Sequence, residues 1–92
     1  MKHLNIKIFG RVQGIFFRYE TVKKAKQLNI KGFVKNEPDG RTVYIEAEAE
    51  EENLKEFLKW CEKGPFLARV EKTEFEFQEK IKNFPAFKIL EE

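Results

Sequence analysis

The sequence predicts an α+β fold of the ferredoxin-like type, with the element order β-α-β-β-α-β. Three observations lead to this prediction: strand segments with alternating apolar residues, two longer segments with helical spacing, and a turn sequence between the second and third strands. Two helices of the predicted length cover one face of a four-stranded antiparallel sheet. An apolar segment at 84–90 predicts a short extra C-terminal edge strand. Because 92 residues are too few for two separate cores, we expect residues 1–92 to form a single domain.

The first strand and the first helix come from the N-terminal third of the chain. Apolar residues occupy every second position from Leu4 to Ile8, which is the period of a half-buried strand. Residues 10–14 contain two glycines and predict a loop. From about residue 17 to residue 29, the apolar positions recur at helical spacing. These positions are Val22, Ala25 and Leu28.

A β-hairpin is predicted next. Residues 31–36 and 42–48 have strand patterns, and the intervening residues 37–40, with the sequence Glu-Pro-Asp-Gly, are typical of a tight turn. The alternation along the second of these strands puts Glu46 and Glu48 on the open face of the sheet, away from the helices.

The second helix begins with three acidic residues, at the positive end of its dipole. Its apolar residues have the spacing i, i+3, i+4 and i+7, and Gly64 followed by Pro65 ends it. This stripe consists of Leu54, Phe57, Leu58 and Cys61. The next strand, at about 68–77, changes its alternation between Val70 and Thr73, so we expect a β-bulge there.

Composition and charge limit the classes of function. No apolar run is long enough to span a bilayer, residues 1–6 lack the apolar stretch of a secretory signal, and the single Cys61 cannot form an intramolecular disulfide. We therefore expect a cytoplasmic protein. Residues 1–45 carry ten Lys and Arg against three acidic residues, a charge of +7, whereas the remainder carries −5. This asymmetry favours an anionic ligand unless folding interleaves the charges. The fourteen Lys and fifteen Glu also resemble the surface composition of a thermophile protein.

The loop at 10–14 and the helix after it predict an anion site. Glycines let consecutive backbone N–H groups converge on a ligand, and a helix N-terminus adds unpaired N–H groups. Arg18 would lie near the first turn and add a fixed positive charge. Such a site would hold a phosphate or a carboxylate, although the same residues also occur in ordinary loops. A Walker A loop is excluded, because no Gly-Lys-Ser/Thr follows.

Other candidate residues are ambiguous or weak. Asn36 ends an apolar strand before a turn, where an asparagine usually bonds its own backbone. His3 and Cys61 have no partner arrangement that suggests metal binding or covalent catalysis. Residues 31–34 partly match an RNA-recognition signature, but the third strand offers one aromatic residue, Tyr44, and two acids to the open face. We therefore do not expect a nucleic-acid partner.

With the segments at 10–18 and 32–36 considered together, the chain resembles the acylphosphatase family. The segment at 10–18 reads Gly-Arg-Val-Gln-Gly-Ile-Phe-Phe-Arg, and the segment at 32–36 reads Gly-Phe-Val-Lys-Asn, with Asp-Gly at 39–40. A later match at 64–70 extends the resemblance over essentially the whole chain. The departures from the family pattern are Phe33 for tryptophan, Ala49 for glycine and Phe66 for a second proline.

The resemblance implies hydrolysis of the carboxyl-phosphate bond of acyl phosphates to a carboxylate and inorganic phosphate, without a metal or cofactor. It implies that Arg18 binds the phosphate and that Asn36 positions the attacking water. The backbone N–H groups of a phosphate cradle would belong to Arg11, Val12, Gln13, Gly14 and Ile15. A small acyl phosphate is then the expected partner of a monomeric enzyme, with no role for a membrane.

Two other functions stay open. One is a non-catalytic module that binds an anion or RNA on the same fold, which salt-dependent RNA binding without turnover would indicate. The other is a domain that handles an acyl or carbamoyl phosphate for a larger partner enzyme, which a defined partner and poor free-standing turnover would indicate.

Overall fold

The computed structural model describes residues 1–91, and over this range the chain forms five strands and two helices. The strands are β1 (Lys2–Arg11), β2 (Lys31–Asn36), β3 (Thr42–Ala49), β4 (Arg69–Gln78) and β5 (Phe87–Ile89), and the helices are α1 (Phe17–Gln27) and α2 (Glu51–Lys63). The strands form one sheet in the order β4-β1-β3-β2-β5. This arrangement confirms the predicted ferredoxin-like α+β fold and its extra edge strand. Neither helix within the described range has the length and apolar character needed to cross a bilayer.

The edge strand β5 makes the sheet mixed rather than wholly antiparallel. β1 pairs antiparallel with β3 and β4, and β2 pairs antiparallel with β3. β5 instead pairs parallel with β2, with Gly32 opposite Phe87 and Val34 opposite Ile89. After β4 the chain reverses and runs back to the far edge of the sheet. Because β4 is antiparallel to β2, a strand that runs against β4 is parallel to β2.

The core lies between the sheet and the two helices. The predicted stripe of α2 is buried throughout. The buried stripe of α1 consists of Phe17, Thr21 and Ala25, whereas the predicted positions Val22 and Leu28 are only half-buried. The Thr21 hydroxyl reaches the core because it donates a hydrogen bond to the Phe17 carbonyl oxygen at 2.8 Å. This local bond satisfies a polar group that the apolar pattern did not include.

The predicted β-bulge is confirmed, and it explains one glycine. Phe9 pairs with Lys72 while the next residue, Gly10, pairs with Val70, so Glu71 is the extra residue on β4. Gly10 has φ 141°, and a Cβ atom there would collide with the backbone carbonyl of Arg69. The close approach of the two strands at the bulge therefore requires glycine.

The face of the sheet opposite the helices is not open, which corrects the expectation for two acidic residues. Glu46 and Glu48 are 7% and 1% exposed, because residues 79–86 cross this face between β4 and β5. Glu48 accepts hydrogen bonds from the backbone N–H groups of Lys82, Asn83 and Phe84 at 2.6, 2.9 and 3.4 Å. The alternation of β3 identified the face correctly but could not reveal that a later segment covers it.

Candidate active site

The loop that follows β1 has two residues in the left-handed region. β1 continues through Arg11, so the loop begins two residues later than predicted and comprises residues 12–16. Val12 is fully buried and anchors the loop in the core. Gly14 has φ 75°, with open space where a side chain would be, so its backbone is accessible to a ligand. Phe16 has φ 63°, a conformation that costs a residue other than glycine about 1–3 kcal/mol.

The first turn of α1 combines an uncapped N-terminus with a positive charge. Phe16 is the N-cap residue and makes no side-chain hydrogen bond to the helix, so the N–H groups of the first turn can bind an anion. Arg18 follows two residues later, and its Nη1 lies 3.4 Å from Glu91 Oε1. The Glu91 side chain is 78% exposed. A pair this exposed is weak, so an anionic ligand can replace the carboxylate.

Asn36, the last residue of β2, has an unusual environment. Its Oδ1 atom is buried and has no hydrogen-bond partner among residues 1–91. The turn that follows uses a different acceptor, since the Asp39 carboxylate accepts the N–H groups of Arg41 and Thr42, both at 2.9 Å. Together with the Thr42 hydroxyl, which contributes most, these bonds lower the pKa of Asp39 below its usual value. Asn36 is therefore not required to cap the turn, and its oxygen is available for another donor.

A cavity of about 310 Å³ brings the two sequence segments together. Its lining residues are Val12, Gly14, Phe16, Phe17, Arg18, Tyr19, Asn36, Ile89 and Glu91. Of the site residues predicted from the sequence, Val12, Gly14, Arg18 and Asn36 line the cavity. The structure does not bring Arg11, Gln13 or Ile15 to its surface.

The side chain of Gln13 connects the loop to the hairpin instead. Its Nε2 donates hydrogen bonds to the backbone carbonyls of Glu37 and Thr42, at 3.0 and 2.9 Å. A further bond joins Gly10 N–H to the Arg41 carbonyl at 3.1 Å. These three bonds fix the loop with Gly14 relative to the end of β2, where Asn36 lies. The sequence offered only the residue type at this position, so this connection was not predicted.

Two lining residues come from a part of the chain that the sequence did not connect with the site. Ile89 belongs to β5 and Glu91 follows it. The backbone holds them there, since Leu90 N–H donates to the Val34 carbonyl at 2.9 Å. Because a parallel pairing between distant segments leaves no local sequence signal, no motif near residues 89–91 could have identified them.

His3 and Cys61 have structural environments away from the cavity. His3 is buried, with Nδ1 2.7 Å from Glu48 Oε2 and Nε2 2.8 Å from Asn5 Oδ1. The position of His3 on the polar side of β1 gave no sign of these partners, but both ring nitrogens of His3 are within hydrogen-bond distance of another side chain. Burial raises the pKa of the Cys61 thiol well above its usual value, which disfavours the nucleophilic thiolate. Within residues 1–91, no three or more His, Cys, Asp or Glu side chains are arranged to hold a metal ion.

Comparison with known proteins identifies the family. The acylphosphatase family profile matches residues 4–89. The chain belongs to the acylphosphatase family. An acylphosphatase from Pseudothermotoga lettingae is 48% identical over 90 residues, which cover 98% of this chain and 99% of the relative. The crystal structure of the acylphosphatase from Bacillus subtilis superposes with a TM-score of 0.94 at 32% identity, covering 99% of this chain and 100% of that one.

Membership of the acylphosphatase family establishes the enzyme class and supports hydrolysis of acyl phosphates as the reaction. The family fold also occurs within a longer chain, since full-length HypF superposes with a TM-score of 0.85 at 30% identity. That match covers 98% of this chain but 12% of HypF. The acylphosphatase relatives named above match instead over nearly their full length.

Proposed function

We propose that this enzyme hydrolyses the carboxyl-phosphate bond of acyl phosphates without a metal ion, with Arg18 holding the phosphoryl group and Asn36 orienting the attacking water. The observation that carries the proposal is the meeting of Gly14, Arg18 and Asn36 in the lining of one cavity, where Asn36 has a buried oxygen without a partner among the described residues. This combination offers a positive charge, an accessible backbone and a hydrogen-bond acceptor.

The phosphoryl oxygens would bind between the Arg18 guanidinium and the backbone N–H groups of the loop. Arginine suits this role because its planar donors match two phosphate oxygens at once. The proposed cradle uses the N–H groups of Val12 and Gly14, the two loop residues of the predicted cradle that line the cavity, together with the helix N-terminus. Donors held in place before the reaction stabilise the charge of the transition state without reorganisation. The Glu91 carboxylate would leave Arg18 when substrate binds.

Asn36 would position the nucleophile. Its buried Oδ1 can accept a hydrogen bond from a water molecule and hold that water for attack on phosphorus. A neutral amide suits this position better than a carboxylate, because a second negative charge would repel the phosphoryl oxygens. Its place at the end of β2, beside the turn fixed by Asp39, limits the directions in which the amide can point.

The leaving group explains why so few residues suffice. Water attacks phosphorus, the bond from phosphorus to the acyl oxygen breaks, and the acyl group leaves as a carboxylate with a conjugate-acid pKa of about 4. Such a leaving group needs no general acid, and a loose transition state requires little activation of the water. The proton of the attacking water goes to the product phosphate or to solvent. A phosphate monoester would leave as an alkoxide, so we expect acyl phosphates to be strongly preferred.

Hydrolysis of benzoyl phosphate by the purified protein, followed by absorbance in the presence of a chelator, tests this proposal. We expect turnover that the chelator does not reduce and competitive inhibition by inorganic phosphate. No turnover would overturn the assignment of the reaction, whereas chelator-sensitive turnover would overturn only the metal-free mechanism. Size-exclusion chromatography of the same sample tests the proposal that the enzyme is a monomer.

Substitutions separate the two roles. Arg18→Ala should lower kcat/KM at least about 100-fold and weaken inhibition by phosphate, because it removes the charge that holds the anion. Asn36→Ala should lose most of kcat while keeping the inhibition constant of phosphate. Arg41→Ala is the matched control, since Arg41 pairs with Glu71 on the surface and does not line the cavity. Normal hydrolysis by the Asn36 variant would refute the water-positioning role.

A further inference from the structure

A second groove lies beside the phosphate cavity and has a different chemical character. Its volume is about 480 Å³, compared with about 310 Å³ for the cavity itself. Its apolar lining is formed by Val22, Phe87 and Ile89, and its basic residues are Lys23, Lys26 and Lys88. We refer to it as the lysine groove. Apolar surface with several cations around it fits a carbon skeleton that carries a negative charge.

The lysine groove adjoins the proposed phosphate site. Tyr19 and Ile89 line both spaces, so the acyl end of a substrate bound at Arg18 lies next to the groove. Along α1, Tyr19 and Lys23 are one turn apart, which corresponds to about 6 Å of helix axis, and Lys26 follows at about 10 Å from Tyr19. These lengths match a small acyl group with a charged group at its far end.

The three lysines of the groove have no anionic partner within the described part of the chain. None of them forms an ion pair with another residue of 1–91, and the groove has no acidic lining residue. Lys26 lies in the last turn of α1, where the helix dipole favours a cation. Lys23 and Lys26 are three residues apart on α1, a spacing at which like charges repel, and an anion bound beside both would relieve this repulsion.

We propose that the lysine groove is the subsite for the acyl group and that it favours acyl phosphates whose acyl group carries a second negative charge. The apolar residues would contact the carbon skeleton, and Lys23 and Lys26 would attract the distal anion. This inference rests on the proposed function, because it assumes that the phosphoryl group binds at Arg18. It adds a preference among substrates that the phosphate site alone does not provide.

The test compares two substrates that differ mainly in charge, 4-carboxybenzoyl phosphate and 4-carbamoylbenzoyl phosphate. The rigid ring keeps the para group away from the reacting centre, and carboxylate and amide have nearly the same size. We expect kcat/KM to be about 3- to 10-fold higher for the carboxylate at low ionic strength, the range that one or two exposed charge pairs provide. The preference should fall towards one at high salt, because salt screens charges outside the core.

Variants assign the preference to the groove. Lys23→Met combined with Lys26→Met removes two charges while retaining much of the apolar stem, and it should bring the ratio of the two kcat/KM values close to one. The control combines Lys24→Met with Lys59→Met, which removes the same charge from outside the groove and should preserve the ratio. A thermal melt of each variant shows whether it is folded.

The outcomes distinguish this inference from the function on which it rests. Hydrolysis of both substrates with equal kcat/KM, or a preference that survives in the groove variant, would overturn the subsite and leave the proposed function intact. No hydrolysis of either substrate would overturn both. Loss of the preference in the control variant as well would show that net charge, rather than the groove, attracts the substrate, and would also reject the subsite.

Discussion

At the scale of single residues, Arg18 and Asn36 differ in whether their polar groups have a partner in the folded protein. The Arg18 guanidinium has an exposed carboxylate nearby, whereas the buried Asn36 oxygen has no partner among the described residues. An unsatisfied buried acceptor costs about 1–3 kcal/mol, so folding alone gives no reason to keep it. Under the proposed mechanism, the same oxygen orients the nucleophile. The buried oxygen that has no hydrogen-bond partner among the described residues is thus the atom assigned to turnover.

The Arg18–Glu91 pair leads to a prediction about ligand affinity. Glu91→Gln should lower the inhibition constant of inorganic phosphate about 2- to 5-fold at low salt, because the phosphate no longer competes with a carboxylate for the guanidinium. The effect should shrink at high salt. Inhibition of benzoyl phosphate hydrolysis gives the constant. Glu79→Gln is the control, since Glu79 is also exposed but pairs with Lys2. An unchanged or higher constant in the Glu91 variant would contradict this prediction.

A second prediction concerns the buried carboxylate of Glu48. Glu48→Gln should lower the free energy of unfolding by about 1–3 kcal/mol, because an amide oxygen cannot replace both carboxylate oxygens as acceptors for His3 and the backbone of residues 82–84. Urea denaturation measures the change. Glu50→Gln, at an exposed position beside the N-terminus, should change stability little. Equal stabilities for the two variants would mean that the buried hydrogen bonds are not needed.

At the scale of elements, the phosphate loop and the hairpin act together through Gln13. Gln13→Ala should raise KM for benzoyl phosphate and lower stability by about 1–3 kcal/mol, since two hydrogen bonds to backbone carbonyls are lost. Steady-state kinetics and urea denaturation measure the two effects. Gln78→Ala is the control, because the exposed Gln78 amide bonds only the exposed Glu76 within residues 1–91. A variant with normal KM would show that the loop keeps its position without this connection.

The elements also show what the sequence could predict and what it could not. The stripe of α2 and the bulge of β4 were predicted because both follow from the local spacing of apolar residues. The direction of β5 and the burial of Glu48 were not, since each depends on the path of residues 79–86 across the sheet. In the site, Arg18 and Asn36 were identified by their motifs. Ile89 and Glu91 were missed because they join the cavity only through strand pairing.

At the scale of the whole molecule, folding interleaves much of the charge that the sequence separates. Lys2 pairs with Glu51 and Glu79, and Arg41 pairs with Glu71, so cations of the first half meet acids of the second. Most of these pairs are exposed and add little stability. Their effect is to neutralise other parts of the surface. The lysines of the groove take part in none of these pairs, and the proposed substrate preference depends on them.

The pH dependence of stability follows from the two buried carboxylates. Burial by itself would raise the pKa of Glu46 and Glu48, but hydrogen bonds from Lys82, Tyr44, His3 and the backbone outweigh it and lower both below the usual value of 4.5. The unfolded chain therefore binds protons more readily than the folded protein as the pH falls. The contribution of these two groups to the free energy of unfolding should be constant above about pH 5 and should decrease below pH 4.5.

Urea denaturation between pH 7 and pH 3 measures this decrease. Glu48→Gln should show a shallower decrease than the unmodified protein, because one of the two titrating groups is gone. Parallel curves for the two proteins would contradict the assignment of this acid sensitivity to Glu48.

The parallel edge strand β5 also determines when the enzyme can become active. Ile89 and Glu91 line the cavity, and Ile89 also borders the lysine groove. A nascent chain that has emerged from the ribosome only as far as β4 carries Arg18 and Asn36 but not this wall of the site. Pairing of β5 with β2 must wait for the most distant segment of the sheet, the kind of non-local step that slows folding. We therefore expect recovery of activity after refolding to require the docking of β5, because this strand completes the wall of the site.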